Sequence, residues 1–277
     1  MVKRKNNWSE SKIKRYIKEG RGQGELSEYI PWIKIQDFSS NGNVTRYWGY
    51  KTRRQHEFLS NIERDYFLLL EREDSVFDIR EQYPLDRTMT VKIAEEKKID
   101  HSIDNQTEVY IPMTTDFLIT LKVNNQLTYL ARTVKPAIEL EDPRVIQKFE
   151  IEREYWERKG IDWGIVTEKD ITKNMALNIA WANKYYYLED LEEKSYAKLL
   201  LELFKNSKEN SNLQIICDQF DKDYNLEIGS ALTYLRHFIA RKLINLNLEE
   251  RVIVAKLTLN DIEIYEFEEG KIDYISS

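Results

Sequence analysis

The chain has 277 residues, 42% hydrophobic and 12% aromatic, enough to bury a sizeable core in one large domain or two modest ones. Its net charge is −6, with 13 Lys and Arg against 6 Asp and Glu in residues 1–60 and 29 against 42 in the remainder. That balance excludes the broad basic face of a free-standing, sequence-indifferent DNA binder; the N-terminal charge marks either a local DNA-facing part or a solvated face. No run of about 18 apolar residues marks a membrane span. The basic start, Met1–Asn7, has no apolar stretch behind it, which argues against a secretory signal, and a cytoplasmic protein is expected. Cys217 is the single cysteine, so no internal disulfide forms. His56, His101 and His237 are too scattered to make a zinc constellation.

In chain order, Ser9 caps a short basic helix over Glu10–Glu19. Gly20-Arg21-Gly22-Gln23-Gly24 ends it, with a spacing that fits neither a phosphate-binding P-loop nor a dinucleotide fingerprint. Trp32–Asp37 and Thr45–Lys51 read as strands separated by the turn Ser39–Asn43. Leu59–Arg72 reads as a helix, with Ser60 and Glu63 at capping-box spacing. Val76–Tyr83 is a strand stopped by Pro84, and residues 86–109 are polar and carry no clear period. Ile111–Leu121 and Leu127–Lys135 are two strands joined at Asn124-Asn125. Asp142 caps a helix that has Pro143 at its first position and Gly160 at its end, and Trp163–Thr167 is a further strand.

Beyond about residue 170 the pattern turns helical. Ala197–Phe204, Leu213–Phe220 and Ile228–Leu243 carry the spacing of helices, and a strand pair, Ile244–Leu248 with Val252–Leu257, follows. Three helices and a short ribbon suggest a winged-helix-like domain over 169–277, after a first domain over 1–168. Arg236, Arg241 and Lys242 of the third helix are candidates for either DNA or protein contact.

The residues that carry chemistry lie in the first part. If Asn124-Asn125 is a two-residue turn, Val123 faces Gln126, and counting outward sets Asp116 opposite Thr133 with Lys135 one step along. A one-residue slip would send one member to the other face. Glu63 lies at the flank of the apolar stripe Leu59, Ile62, Tyr66, Leu69, either as a plain capping glutamate or as a site acid. Glu152 sits inside the stripe Val145, Phe149, Trp156, so it needs a cation, donors or a proton; a structural salt bridge serves equally. Such a set suits phosphodiester hydrolysis. Carboxylates hold Mg²⁺ through hard oxygens, and a lysine steadies developing charge.

Longer strings add a resemblance. Lys18-Glu19-Gly20-Arg21-Gly22-Gln23-Gly24 with Tyr29-Ile30-Pro31-Trp32 is similar to the start of TnsA proteins, the endonuclease subunits of heteromeric transposases. So are Leu59-Ser60 with Glu63, Asp78-Ile79-Arg80-Glu81-Gln82-Tyr83-Pro84-Leu85, Thr114-Thr115-Asp116-Phe117, Val134-Lys135-Pro136 and Glu150-Ile151-Glu152-Arg153-Glu154-Tyr155-Trp156. The resemblance implies an α/β fold, a restriction-endonuclease-like mixed sheet flanked by helices, with the winged-helix-like domain behind it. It implies Glu63, Asp116 and Lys135 as the catalytic core, Glu152 and Thr133 in support, and Mg²⁺ (Mn²⁺ substituting) on Glu63, Asp116 and the Val134 carbonyl. Thr133 departs from the acid that generic restriction-type nucleases place two residues before the lysine. Arg80, Gln82 and Arg21 are the candidates for DNA contact, with an internal polar network as the alternative for the strand residues. The implied task is cutting at the 5′ ends of a transposon. Its implied partners are transposon-end DNA, a TnsB-like DDE transposase, and a TnsC-like AAA regulator at the C-terminal domain. A stand-alone restriction or repair endonuclease and a DNA-binding scaffold are the competing readings.

Overall fold

The structure, a computed structural model, describes residues 7–37, 44–188 and 191–265, so the turn expected at Ser39–Asn43 lies outside the described residues. The chain divides into two compact units, Met1–Ile171 and Thr172–Ser277. Among the described residues no helix is long and apolar enough to cross a membrane.

In the first unit, the Ser9 hydroxyl accepts the Lys12 N–H at 3.2 Å and starts α1 (Glu10–Lys18). Ile13 and Tyr16 of α1 pack on Trp32. Trp32–Asp37 is not the expected strand but a bend followed by a 3₁₀ turn at Ile35–Asp37. The Asp37 carboxylate accepts the Lys34 N–H at 2.9 Å and the Glu57 carboxylate the Ile35 N–H at 2.6 Å. Side chains therefore occupy donors that a ladder needs. β1 (Thr45–Gly49) pairs antiparallel with β2 (Arg54–Phe58). β2 has no apolar alternation to announce it, because two of its three inward positions are Arg54 and His56.

The buried face of α2 (Asn61–Arg72) runs through Glu63, Phe67 and Leu70, with Ile62, Tyr66 and Leu69 partly buried beside it. Glu63 thus belongs to the inward face rather than its flank. Then come β3 (Val76–Pro84), α3 (Arg87–Lys97), β4 (Thr114–Val123), β5 (Gln126–Val134), α4 (Pro143–Arg158) and β6 (Asp162–Val166). The sequence shows little of α3, whose buried residues are only Thr90, Ile93 and Ala94; Asp86 caps it, accepting the Met89 N–H at 2.8 Å.

The sheet order is β3-β4-β5-β6, antiparallel at the first two pairings and parallel at the last, so the sheet is mixed. Asn124 and Asn125, at φ +50 and +62, form the tight turn, and Val123 faces Gln126. Asparagine tolerates that left-handed backbone better than most residues. One face carries Ile79, Phe117, Ile119 and Val134 against Phe67 and Leu70 of α2. The other carries Leu118 and Ala131 against Ile151, Tyr155 and Trp156 of α4 and Ile93 of α3.

Alternation along β3 breaks twice. A register shift lies between Val76 and Asp78, and Phe77 is left exposed although Ile79 is in the core. Gln82 has φ +49, and beyond it Tyr83 packs with Trp156, on the face opposite Ile79. Phe77, Ile79, Glu81 and Tyr83 therefore do not share one side as strict alternation requires.

The second unit holds α5 (Lys173–Asn183), α6 (Leu191–Asn206), α7 (Leu213–Asp223) and α8 (Ser230–Ala240), then β7 (Ile244–Leu246) paired antiparallel with β8 (Ile262–Ile264). α8 packs against α5, α6 and α7 through Tyr234, Leu235 and Phe238. The Asp221 carboxylate accepts the Gly229 and Ala231 N–H groups at 2.7 and 2.8 Å, filling donors at the start of α8. Two expectations are corrected. Among the described residues there are four α-helices rather than three, and Val252–Leu257 holds a 3₁₀ turn at Val254–Lys256 while the partner of β7 lies further on.

Candidate active site

Glu63 stands in the first turn of α2. Ser60 accepts the Glu63 N–H at 3.2 Å, and the Glu63 carboxylate accepts the Leu59 N–H at 3.1 Å and the Ser60 hydroxyl at 2.9 Å. These bonds hold a carboxylate that is 7% exposed. Burial raises its pKa, and the charge of Asp116 raises it further, while the two donors and Lys135 act in the opposite sense.

Asp116 lies where the β4–β5 ladder stops. Regular pairing ends at Phe117 and Arg132; one step on, the Asp116 side chain itself accepts the Val134 N–H at 2.8 Å. Its other oxygen accepts from Gln82 Nε2 at 3.0 Å. Burial again lifts the pKa, against the Val134 N–H, Lys135 and Gln82. The register counted from the turn holds, but the facing it suggested does not. Thr133 donates to Glu152, and the Asp116 carboxylate reaches into the strand gap instead of standing beside the Thr133 hydroxyl.

Glu152, on the buried face of α4, takes the place of a salt-bridged acid without a cation. Its Oε1 accepts from Thr133 Oγ1 at 2.5 Å, Thr115 Oγ1 at 2.7 Å and Trp163 Nε1 at 3.1 Å. Burial pushes its pKa up to about 7, with the hydroxyls opposing and Asp116 reinforcing the shift. Thr115 is a site residue that alternation conceals, since a regular strand would turn it to the face of Phe117. Lys135 has a side chain 39% exposed, and its ammonium lies 3.6 Å from Glu139. Glu63, Asp116 and Lys135, far apart in the chain, thus act on one another electrostatically at one place.

Two neighbouring carboxylates, Glu63 buried and Asp116 half-buried, both feel the charge of the half-exposed Lys135. Their hard oxygens suit a divalent cation. Among the described residues no group of three or more His, Cys, Asp or Glu is arranged to hold a metal.

The three residues expected to touch DNA are buried. Arg21 pairs with Asp37 and Glu19, donates to the Trp32 carbonyl at 3.1 Å and lies 3.6 Å from the Tyr16 ring centroid. Arg80 donates to Thr120 at 3.1 Å and lies near Asp78, 3.4 Å away. Gln82 is 3% exposed, with both ends of its amide bonded inside the protein. In the second unit Arg236 donates to the Trp181 carbonyl at 3.0 Å and stacks on Tyr185.

Comparison with known proteins bears directly on this geometry. Residues 73–168 match a family model described as "TnsA-like endonuclease N terminal", and residues 170–248 one described as "TnsA endonuclease C terminal". A curated relative from Escherichia coli, "Transposon Tn7 transposition protein TnsA", is 40% identical over 253 residues, covering 90% of this chain and 90% of that protein. With its N-terminal site region and its helical unit both matched, and that identity running nearly end to end, the chain belongs to the TnsA endonuclease family.

Proposed function

We propose that this chain is the endonuclease subunit of a Tn7-type cut-and-paste transposase and hydrolyses the strand at the 5′ ends of the transposon. The observation that carries the reading is the meeting of two carboxylates, buried Glu63 and half-buried Asp116, each raised by desolvation and each acted on by the charge of Lys135. In this reading Glu63, Asp116 and the Val134 carbonyl hold Mg²⁺, with Mn²⁺ able to substitute. A divalent ion there supplies Lewis-acid polarisation of the scissile phosphate and a more acidic water. Lys135 steadies the charge that grows on the phosphate oxygens. Glu152 and Thr133 work from behind, since the hydroxyls bonded to Glu152 belong to Thr115 and Thr133, the neighbours of Asp116 and Val134.

The acidic surplus after residue 60 fits a nuclease to which DNA is delivered. The partners are transposon-end DNA, a TnsB-like DDE transposase that processes the 3′ ends, and a TnsC-like regulator on the C-terminal, winged-helix-like unit. The test is excision by the assembled system carrying Asp116→Ala, with breaks in the two strands scored separately on denaturing gels. Loss of 5′ breaks with 3′ breaks and joining retained is expected. Undiminished 5′ breaks would refute the reading, and efficient cutting of end DNA by the purified chain alone would favour a stand-alone endonuclease.

A further inference from the structure

We infer that Gln82 is the positioning residue of the Asp116 carboxylate, fixing the plane in which that acid meets its cation; this rests on the metal reading above. Gln82 Nε2 donates to Asp116 Oδ1 at 3.0 Å, and Gln82 Oε1 accepts from Thr114 Oγ1 at 3.2 Å. The Val134 N–H donates to Asp116 Oδ2 at 2.8 Å. An ionised carboxylate only accepts, so the amide has one orientation here: NH₂ toward Asp116, oxygen toward the hydroxyl. One donor on each oxygen locks the carboxylate plane and leaves a lone pair on each oxygen free for a ligand.

The backbone of Gln82 points the same way. It is a non-glycine residue at φ +49 inside a strand, a left-handed conformation that L side chains rarely adopt. Such a residue persists only where its surroundings hold it, and here they do so from the N-terminal loop. Trp32 N–H donates to the Gln82 carbonyl at 3.2 Å, and the Tyr29 hydroxyl to the Glu81 carbonyl at 3.1 Å. Gly22, at φ +75, lies so close to Pro84 that a Cβ there would meet Pro84 Cγ at 2.2 Å. Gly22 N–H bonds the Ile30 carbonyl at 2.6 Å and closes the loop. The glycine-rich segment, whose spacing fits no P-loop, thus braces the residue that orients Asp116. The strain at Gln82 is what turns Tyr83 to the opposite core and frees the amide to reach along the strand gap.

The test titrates the purified full chain with Mn²⁺, read by calorimetry and by loss of the free-ion paramagnetic resonance signal, so it does not depend on cleavage. Gln82→Met keeps the length and removes both hydrogen bonds; Thr114→Val leaves Gln82 in place and frees its oxygen. Gln82→Met should weaken Mn²⁺ binding on the order of 10-fold, the lower end for loss of an outer-shell partner. Thr114→Val should weaken it roughly 3-fold, within the reach of one lost hydrogen bond. Asp116→Asn should abolish binding. If Asp116→Asn binds like the wild type, or the wild type takes up no Mn²⁺, the metal reading fails and this inference falls with it. If Asp116→Asn loses the ion while Gln82→Met binds within twofold of the wild type, only the positioning role is overturned. Should Gln82→Met not fold, unchanged affinity in Thr114→Val overturns it instead.

Discussion

Arg54→Met is the substitution whose cost the structure sets most directly. Glu81 is fully buried in β3, and Arg54 grips it with both ends of its guanidinium, Nη1 to Oε1 at 2.7 Å and Nη2 to Oε2 at 2.5 Å. Arg54 Nη2 also donates to the Ile79 carbonyl at 2.8 Å. Burial lowers the pKa of the His56 ring, against the charge of Glu81, and the ring bonds Glu81 through Nδ1 at 2.8 Å and Thr52 through Nε2 at 2.7 Å. Methionine fills much of the space but leaves a buried carboxylate without its guanidinium partner, and breaking a buried pair from one side costs about 3–5 kcal/mol. In a unit of this size each kcal/mol moves the melting temperature by roughly 2–4 °C, so a fall on the order of 10 °C follows. Urea unfolding followed by tryptophan fluorescence is the assay, because five of the six tryptophans lie in residues 1–171. Arg54→Lys, which keeps the charge and loses the fork, should fall between Met and wild type. A loss below about 1 kcal/mol for Arg54→Met would refute the claim that this pair pins β3 behind the site.

Three further outcomes follow from the same structure. Burial alone would raise the Glu81 carboxyl, but His56 and Arg54 overcome it and hold it well below the carboxylate range. A depressed folded pKa gives stability that is complete above the unfolded value of about 4.3 and lost as pH falls toward the folded one; urea midpoints between pH 6 and 3 should therefore drop more steeply in the wild type than in Glu81→Gln. Asp221→Ala removes the acceptor for two N–H groups at the start of α8 and should cost roughly 1–2 kcal/mol, seen as a lower melting temperature of the helical unit in circular dichroism. Gly22→Ala forces both the positive φ and the contact with Pro84, so proteolysis within the loop should become faster and the chain less stable by more than 1 kcal/mol.

Features set by adjacent residues were legible before any fold was known. Ser9, Ser60 and Asp142 begin helices because their side chains accept an N–H two or three residues ahead. Asn124-Asn125 makes the turn because those residues tolerate a left-handed backbone, and from it the β4–β5 register follows. Even the three separated residues proposed for the site, Glu63, Asp116 and Lys135, could be picked out from the strings around them.

What the sequence by itself determined about this protein is therefore the chemistry it carries and most of the elements that carry it. The tertiary structure alone decided how the side chains face. Strand alternation assumes an unbroken pleat, and here the pleat breaks at Gln82 and Asp116, through a backbone bond from Trp32 and a carboxylate that replaces a ladder partner of Val134. Those contacts join residues 18 and 50 positions apart, so no local preference encodes them. They are also why Thr133 turns to Glu152, why Gln82 holds Asp116 instead of DNA, and why Arg21 serves the loop from inside.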